Sequence, residues 1–136
     1  MMGILNWNNI EPIKIEKFPY RGKMWDVQGI SVRWLSKHGE DDSGSPVYGL
    51  RHFTAEPNGE IPIHNHFYYQ TMYILSGEFE CYRFDPETDE VVEKSICRPG
   101  DAIYAPSMEP HGMKNTSETE PATFLCCICN VYDEAL

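Results

Sequence analysis

The sequence predicts an all-β fold made of short antiparallel strands, and three observations lead to that prediction. Ten glycines and ten prolines are spread through the 136 residues, which favours frequent turns over long helices. Residues 30–34 alternate apolar and polar side chains, as a half-buried strand does. No segment shows a helical pattern longer than a turn or two. Roughly eight to ten regularly spaced short strands are typical of a β-sandwich or β-barrel.

The N-terminal half of the chain contains the less regular elements. Residues 1–26 are mixed in character, and two prolines interrupt any helix there. After the strand at 30–34, residues 36–46 form a polar loop by composition. Strand character returns at residues 47–55, and the Glu-Pro-Asn-Gly run at residues 56–59 predicts a turn.

The C-terminal half reads as a series of short strands separated by turns. Residues 61–80 predict a hairpin or two successive strands, and residues 84–90 predict an acidic turn. A strand at 91–98 ends at a Pro-Gly pair. The remaining predicted strands are 103–105, 111–115 and 123–132.

The charge balance argues against two classes of partner. Lysine and arginine total 11 against 21 aspartates and glutamates, a formal charge of −10, so neither nucleic acid nor an anionic membrane surface is the expected partner. No secretory signal and no run of ~18 apolar residues is visible. An odd number of cysteines without a signal peptide predicts reduced thiols and a cytoplasmic protein: Cys81, Cys97, Cys126, Cys127 and Cys129.

Histidines suggest the chemistry of the protein. His64 and His66 are two residues apart, so on a strand their side chains point to the same face. His111 joins them if the chain folds back, as it does in a β-barrel. Three neutral imidazoles suit a divalent transition metal ion, and Gln70 offers an amide oxygen as a fourth ligand. The alternative is that His64 and His66 form a solvent-exposed surface pair.

The first of two motifs that resemble those of the cupin superfamily surrounds this histidine pair. Gly59 is followed by four residues, then by His64 and His66, by three residues, by Gln70, by six residues and by Gly77. In the family the residue at the Gln70 position is usually Glu, or His in small members. An amide leaves the full dipositive charge on the metal, or it lies outside the coordination shell and three histidines leave open positions.

The second motif follows after 22 residues. Gly100 is followed by five residues, then by Pro106, a residue, Met108, two residues, His111, three residues and Asn115. Met108 stands where a turn glycine is common in the family. The resemblance covers about residues 47–132 and implies a double-stranded β-helix, or jelly-roll, barrel.

The resemblance also implies a domain organisation and an oligomeric state. We expect residues 31–136 to form one barrel domain and residues 1–30 to form an N-terminal arm. A homodimer is implied, in which the arm packs on the partner or exchanges with it. The apolar contacts of such an arm would come from Trp7, Phe18, Tyr20 and Trp25.

Three further side chains are candidates for the substrate pocket. Cys126 lies in a Phe-Leu-Cys strand that resembles a pocket-lining strand of small cupins, although a buried structural cysteine is the alternative. Tyr104 offers a hydroxyl near the second motif, against an alternative of aromatic packing. Arg51 offers a bidentate partner for a substrate carboxylate, against an alternative of an exposed ion pair.

Three functions agree with this pattern. The first is a metal-dependent enzyme of the dioxygenase, isomerase or lyase type that acts on a small organic substrate; its catalytic residues beyond the metal ligands are not identifiable. The second is a non-enzymatic module that binds or senses a small molecule. The third is a metal-free structural or sugar-binding protein. The donor set suits iron, manganese, nickel, zinc and copper alike.

Overall fold

Nine antiparallel strands make up nearly all of the regular structure in a computed structural model that describes residues 3–36 and 48–128. A single 3₁₀ turn, Trp7–Asn9, precedes them. The predicted all-β jelly-roll barrel is therefore confirmed. The strands are β1 Ile13–Tyr20, β2 Lys23–Ser36, β3 Gly49–His64, β4 Gln70–Ser76, β5 Phe79–Phe84, β6 Val91–Cys97, β7 Ala102–Ala105, β8 His111–Asn115 and β9 Ala122–Ile128.

The strands form a nearly closed barrel because β3 takes part in both of its sheets. The first half of β3 pairs with β2 and β9, and the order continues from β9 to β4 and β7. The second half of β3 pairs with β8, which continues to β5 and β6. Apolar side chains from both sheets fill the interior, where Phe124 stacks on Phe53 and meets Phe79 edge to face.

The predicted turn at residues 56–59 is wrong, because β3 bends there without reversing direction. Asn58 adopts a left-handed φ of 63°. Gly59 lies so close to the backbone that an added Cβ would be 2.8 Å from the carbonyl oxygens of Glu56 and Gly29. Local turn chemistry thus produces a bend, and the pairing partners on both sides of it keep the strand going.

The N-terminal segment is hydrogen-bonded to the barrel of its own chain. β1 pairs with β2, and β2 pairs with β3. β2 continues without interruption through residue 30, where the predicted arm ends. Trp7 stacks on His52 and Phe18 stacks on His64. Exchange of residues 1–30 with a second copy stays a prediction, as does the domain boundary at residue 31.

Other predicted elements agree with the described strands. The acidic turn at residues 84–90 joins β5 to β6, and Gly77 and Gly100 have positive φ angles in the turns that follow β4 and β6. The predicted polar loop at 36–46 falls, except for Ser36, outside the described residues, as do Cys129 and the end of the predicted strand 123–132. No helix in the described ranges is long and apolar enough to cross a membrane. The four cysteines that the structure describes are free thiols.

Met108 adopts the backbone conformation of the glycine that is common at its position in the family. Its φ is 65°, and its N–H donates to the carbonyl oxygen of His66 at 2.7 Å. A left-handed φ costs a residue with a Cβ about 1–2 kcal/mol, and the side chain is half exposed. We therefore expect Met108→Gly to raise the free energy of unfolding by about 0.5–1 kcal/mol, after the larger chain entropy of glycine is subtracted. Urea denaturation measures the change, and a loss of stability would contradict this account of the loop.

Candidate metal centre

Three histidines converge at one end of the barrel interior. His64 ends β3, His66 lies in the loop after it, and His111 begins β8. One ring nitrogen from each of them lies within 4.8 Å of the others. His64 and His66 are buried, and His111 is partly buried. The group is able to hold a metal ion.

An irregularity in β3 places His64 opposite His111. Ile61 pairs with Met113, but the next pair is His64 with His111, so β3 contains one more residue than β8 in this interval. Such a bulge changes which face the following side chains occupy. Ile61 and His64 both face the interior as a result, although they are three residues apart.

Backbone carbonyls orient two of the imidazoles. The Nδ1 atom of His64 donates to the carbonyl oxygen of Pro62 at 2.8 Å, and Nδ1 of His111 donates to that of Glu109 at 2.9 Å. A carbonyl oxygen only accepts, so Nδ1 carries the proton in both rings and Nε2 keeps its lone pair. This is how proteins fix the tautomer of metal-binding histidines.

Aromatic rings support the other side of the cluster. Phe18 from β1 stacks on His64 with ring centroids 4.9 Å apart, and Tyr68 stacks on His66 at 4.6 Å. The Nδ1 atom of His66 is buried and has no hydrogen-bond partner in the described residues. Stacking thus holds the ring of His66, while hydrogen bonds hold the other two.

Burial keeps all three imidazoles neutral near pH 7. It is the largest cause that lowers the pKa of His64 well below its ordinary value, with the nearby His111 and His66 adding to the effect. Burial likewise lowers the pKa of His66 to about 3 and the pKa of His111 below its ordinary value. A neutral imidazole is the form that binds a metal ion.

Stability of the metal-free protein is expected to fall as the pH falls below 6.5. The unfolded chain binds a proton at His66 below that pH, whereas the folded chain does so only near pH 3, so protonation favours unfolding in this window. From this one residue, the free energy of unfolding falls by about 1.4 kcal/mol for each unit by which the pH is lowered. Urea denaturation in chelator at about pH 7 and about pH 5 should show a loss near 2 kcal/mol from His66. Parallel pH profiles for wild type and His66→Gln would contradict the prediction.

Gln70 begins β4 beside the histidines, but its amide nitrogen is the atom that faces them. Its Nε2 atom lies 3.4 Å from Nε2 of His111. Its Oε1 atom lies 3.5 Å from Nη2 of Arg51. In this arrangement the oxygen that the sequence offers as a fourth ligand is directed to Arg51, and ligation by Gln70 stays a prediction.

Two of the three predicted pocket residues lie next to this centre. Arg51 and Cys126 are opposite each other in the β3–β9 pair, and Nη2 of Arg51 donates to the Cys126 sulfur at 3.0 Å. The Arg51 guanidinium lies 4.9 Å from the centroid of the Phe53 ring and is buried. The alternative that Arg51 is exposed at the surface is therefore wrong.

The histidines lie where a small inner cavity meets a larger outer one. The inner cavity has a volume of about 20 Å³, room for about one water molecule, and its walls include the three histidines, Gln70, Arg51 and Cys126. The outer cavity has about 360 Å³ and is walled by the β1–β2 turn together with Arg51, His64, His66 and Tyr68. A volume of this order accommodates a small organic molecule.

Tyr104 lines neither the inner nor the outer cavity. It is 60% exposed, stacks on Tyr69, and lines a third cavity of about 300 Å³, whose walls also include His111. The alternative of aromatic packing describes it better. Conversely, the sequence interpretation missed Phe18 and Tyr68 as supports of the histidine rings. The only signal was their aromatic character, since stacking partners depend on how distant strands pack.

Fold and site together define a β-barrel of jelly-roll topology with a three-histidine centre inside it. Residues 51–128 match the sequence model of the family described as Cupin domain. Since the match spans more than half of the chain, the chain belongs to the cupin family. No curated protein matches the sequence.

Solved structures with the same fold come from proteins of diverse roles. The polyketide cyclase RemF from Streptomyces resistomycificus is 22% identical with a TM-score of 0.71, over 95% of this chain and 80% of that one. A predicted oxalate decarboxylase from Thermotoga maritima is 19% identical with a TM-score of 0.67, over 93% and 98%. Drosophila melanogaster CENP-C bound to CAL1 is 13% identical with a TM-score of 0.63, over 90% and 82%. At these identities the likeness shows the fold.

Proposed function

We propose that the protein is a metal-dependent enzyme of the dioxygenase, isomerase or lyase type that acts on a small organic substrate. The observation that carries the proposal is the position of three neutral imidazoles between a cavity of about 20 Å³ and one of about 360 Å³. Three protein ligands leave coordination positions open, as catalytic metal sites require. The fold relatives that are a polyketide cyclase and a predicted oxalate decarboxylase support an enzyme.

His64, His66 and His111 would hold the ion, and their donor chemistry suits iron, manganese, nickel, zinc and copper alike. A bound ion of this kind supplies Lewis acidity and, for the redox-active metals, electron transfer. The protein supplies the rest. Pro62 and Glu109 carbonyls orient two imidazoles, Phe18 and Tyr68 exclude water from the rings, and the outer cavity binds the body of the substrate.

The second candidate function is a non-enzymatic binding or sensing module. The fold relative CENP-C, which is bound to CAL1 in its structure, favours this candidate because it is a protein whose printed description names a partner and no reaction. The same cavities would then bind a ligand without turnover. A homodimer and a cytoplasmic location complete the proposal for either function.

Metal content and turnover distinguish these functions. We expect tag-free protein purified without added metal to contain about one transition metal ion per chain, and elemental analysis measures it. A small-molecule screen for products with the metal-loaded protein then tests the enzyme. Ligand-dependent thermal stabilisation without any product would favour the binding module. A protein that contains no metal and takes up none on titration would overturn both metal-based functions.

A further inference from the structure

The orientation of the Gln70 amide is determined by its neighbours. Arg51 has only hydrogen-bond donors on its guanidinium group, so the amide must turn its oxygen toward Nη2 of Arg51, 3.5 Å away. In the flipped amide, the NH₂ group of Gln70 would face the N–H groups of Arg51, so two donors would meet without an acceptor. The NH₂ group of Gln70 therefore faces Nε2 of His111 at 3.4 Å.

Two partners compete for the lone pair on Nε2 of His111. Since Nδ1 of His111 donates to the Glu109 carbonyl, Nε2 carries the only ring lone pair. The Gln70 N–H approaches that lone pair, and a metal ion held by the three histidines would use it instead. A loaded centre thus leaves the buried Gln70 N–H needing another acceptor, because an unsatisfied buried donor costs about 1–3 kcal/mol.

Two of the three cavities that contain clustered histidines in their walls have no acidic side chain there in the described part of the chain, although the chain carries a formal charge of −10; the third, which shares His111, has Glu93 and Glu109. Within the described ranges, the walls of the inner and outer cavities include two arginines, Arg21 and Arg51, and no carboxylate. A Glu at the Gln70 position would have supplied one. Arg21 is paired with Asp89 at the rim, and buried Arg51 is the arginine in the wall of the inner cavity, beside Gln70.

The outer cavity is suited to an apolar body attached to an anionic group. Its walls near the histidines include the rings of Phe18, Tyr20 and Tyr68 and the side chain of Pro19. Aromatic walls of this kind contact a flat or aliphatic group well. The inner cavity, at about 20 Å³, is too small for such a body.

We propose that the substrate or ligand is an organic carboxylate, whose anionic oxygens accept hydrogen bonds from Arg51 and from the Gln70 amide while its apolar body lies in the outer cavity. Gln70 is then a donor to the carboxylate and not a metal ligand. The inference rests on the proposed function for the presence of a metal ion. The two donors, however, are part of the metal-free chain.

Benzoate and its neutral isostere benzamide test the charge preference. We expect benzoate to bind at least about tenfold more tightly than benzamide, and the difference to be larger in Co(II)-loaded protein than in metal-free protein. Isothermal titration calorimetry measures both affinities in both forms. The visible absorption of Co(II) gives a second readout that does not depend on turnover. Equal affinity for benzoate and benzamide in both forms would overturn the proposal.

Gln70→Glu tests the role of the amide with little change of shape. We expect benzoate affinity to fall about tenfold or more, because a carboxylate replaces the donor and pairs with Arg51. Gln28→Glu adds the same charge at an exposed position on β2 and should leave benzoate binding unchanged. Unchanged benzoate binding in Gln70→Glu would overturn the proposal.

Arg51→Lys keeps the cation but loses the planar pair of donors, so benzoate affinity should also fall. Circular dichroism establishes that this variant is folded. Failure to bind Co(II) would contradict the proposed function alone, since benzoate binding to the metal-free protein still tests Arg51 and Gln70.

Discussion

His111→Ala is expected to reduce the metal content from about one ion per chain to none. His111 contributes one of the three ring nitrogens that lie within 4.8 Å of each other, and the remaining two cannot enclose an ion in a three-ligand site. Loss of a group that merely orients a ligand costs about 10–100-fold in metal affinity, so loss of a ligand should cost more. Elemental analysis of tag-free protein and titration with Co(II) both measure the effect.

His52→Ala is the matched control for this experiment. His52 is also a buried histidine, but it stacks on Trp7 on the other side of β3 from Arg51 and does not belong to the cluster. Its pKa is lowered by burial as well, so both variants remove a buried neutral imidazole. Metal retained in His111→Ala, or lost equally in both variants, would contradict the three-histidine centre.

Asn115→Asp is expected to lower the free energy of unfolding by about 3 kcal/mol or more. The Asn115 side chain is fully buried, and its NH₂ group donates to the carbonyl oxygens of Ala55, Glu56 and Glu120. Its Oδ1 atom accepts from the N–H of Ser117. An aspartate of the same shape would place an oxygen against three carbonyl oxygens and would bring an ionisable group into the interior.

Urea denaturation near pH 7 measures this loss. Asn8→Asp makes the same change at an exposed residue of the 3₁₀ turn and should alter stability by no more than about 0.5 kcal/mol. Asn115 joins the bend of β3 to the segment before β9, so the two sheets should separate more readily in the Asn115 variant. A loss below about 1 kcal/mol would contradict the importance of these three hydrogen bonds.

Residue spacing predicted the convergence of the histidines, although the predicted placement of His64 and His66 on one strand is wrong. The interpretation placed His64 and His66 on one strand, whereas β3 ends at His64. The rings come together because a bulge after Ile61 turns His64 inward and because β8 brings His111 opposite to it. Whether these residues bind a metal ion stays a prediction.

Sequence patterns did not predict which distant segments pair with each other. Period-two patterns and turn residues predict individual strands, and most of those predictions are confirmed. The 16-residue length of β3 was missed because its turn-like sequence is overruled by pairing with β2, β8 and β9. The direction of the Gln70 amide depends on Arg51, which lies 19 residues away, so no local pattern indicates it.

One wall of the outer cavity differs from the others in how firmly it is attached. The turn between β1 and β2 contacts the loop after β5 through Arg21 and Tyr20, both of which bond to Asp89. An ion pair this exposed contributes about 0–1 kcal/mol and weakens as salt rises. The histidine end is held by buried rings and backbone carbonyls, and Tyr20 at the base of the turn is buried. Arg21 and Gly22 at the tip of the turn are exposed, so movement at little cost is limited to this tip. Selectivity should therefore be strict for the charged head of a ligand and tolerant of the length of its tail.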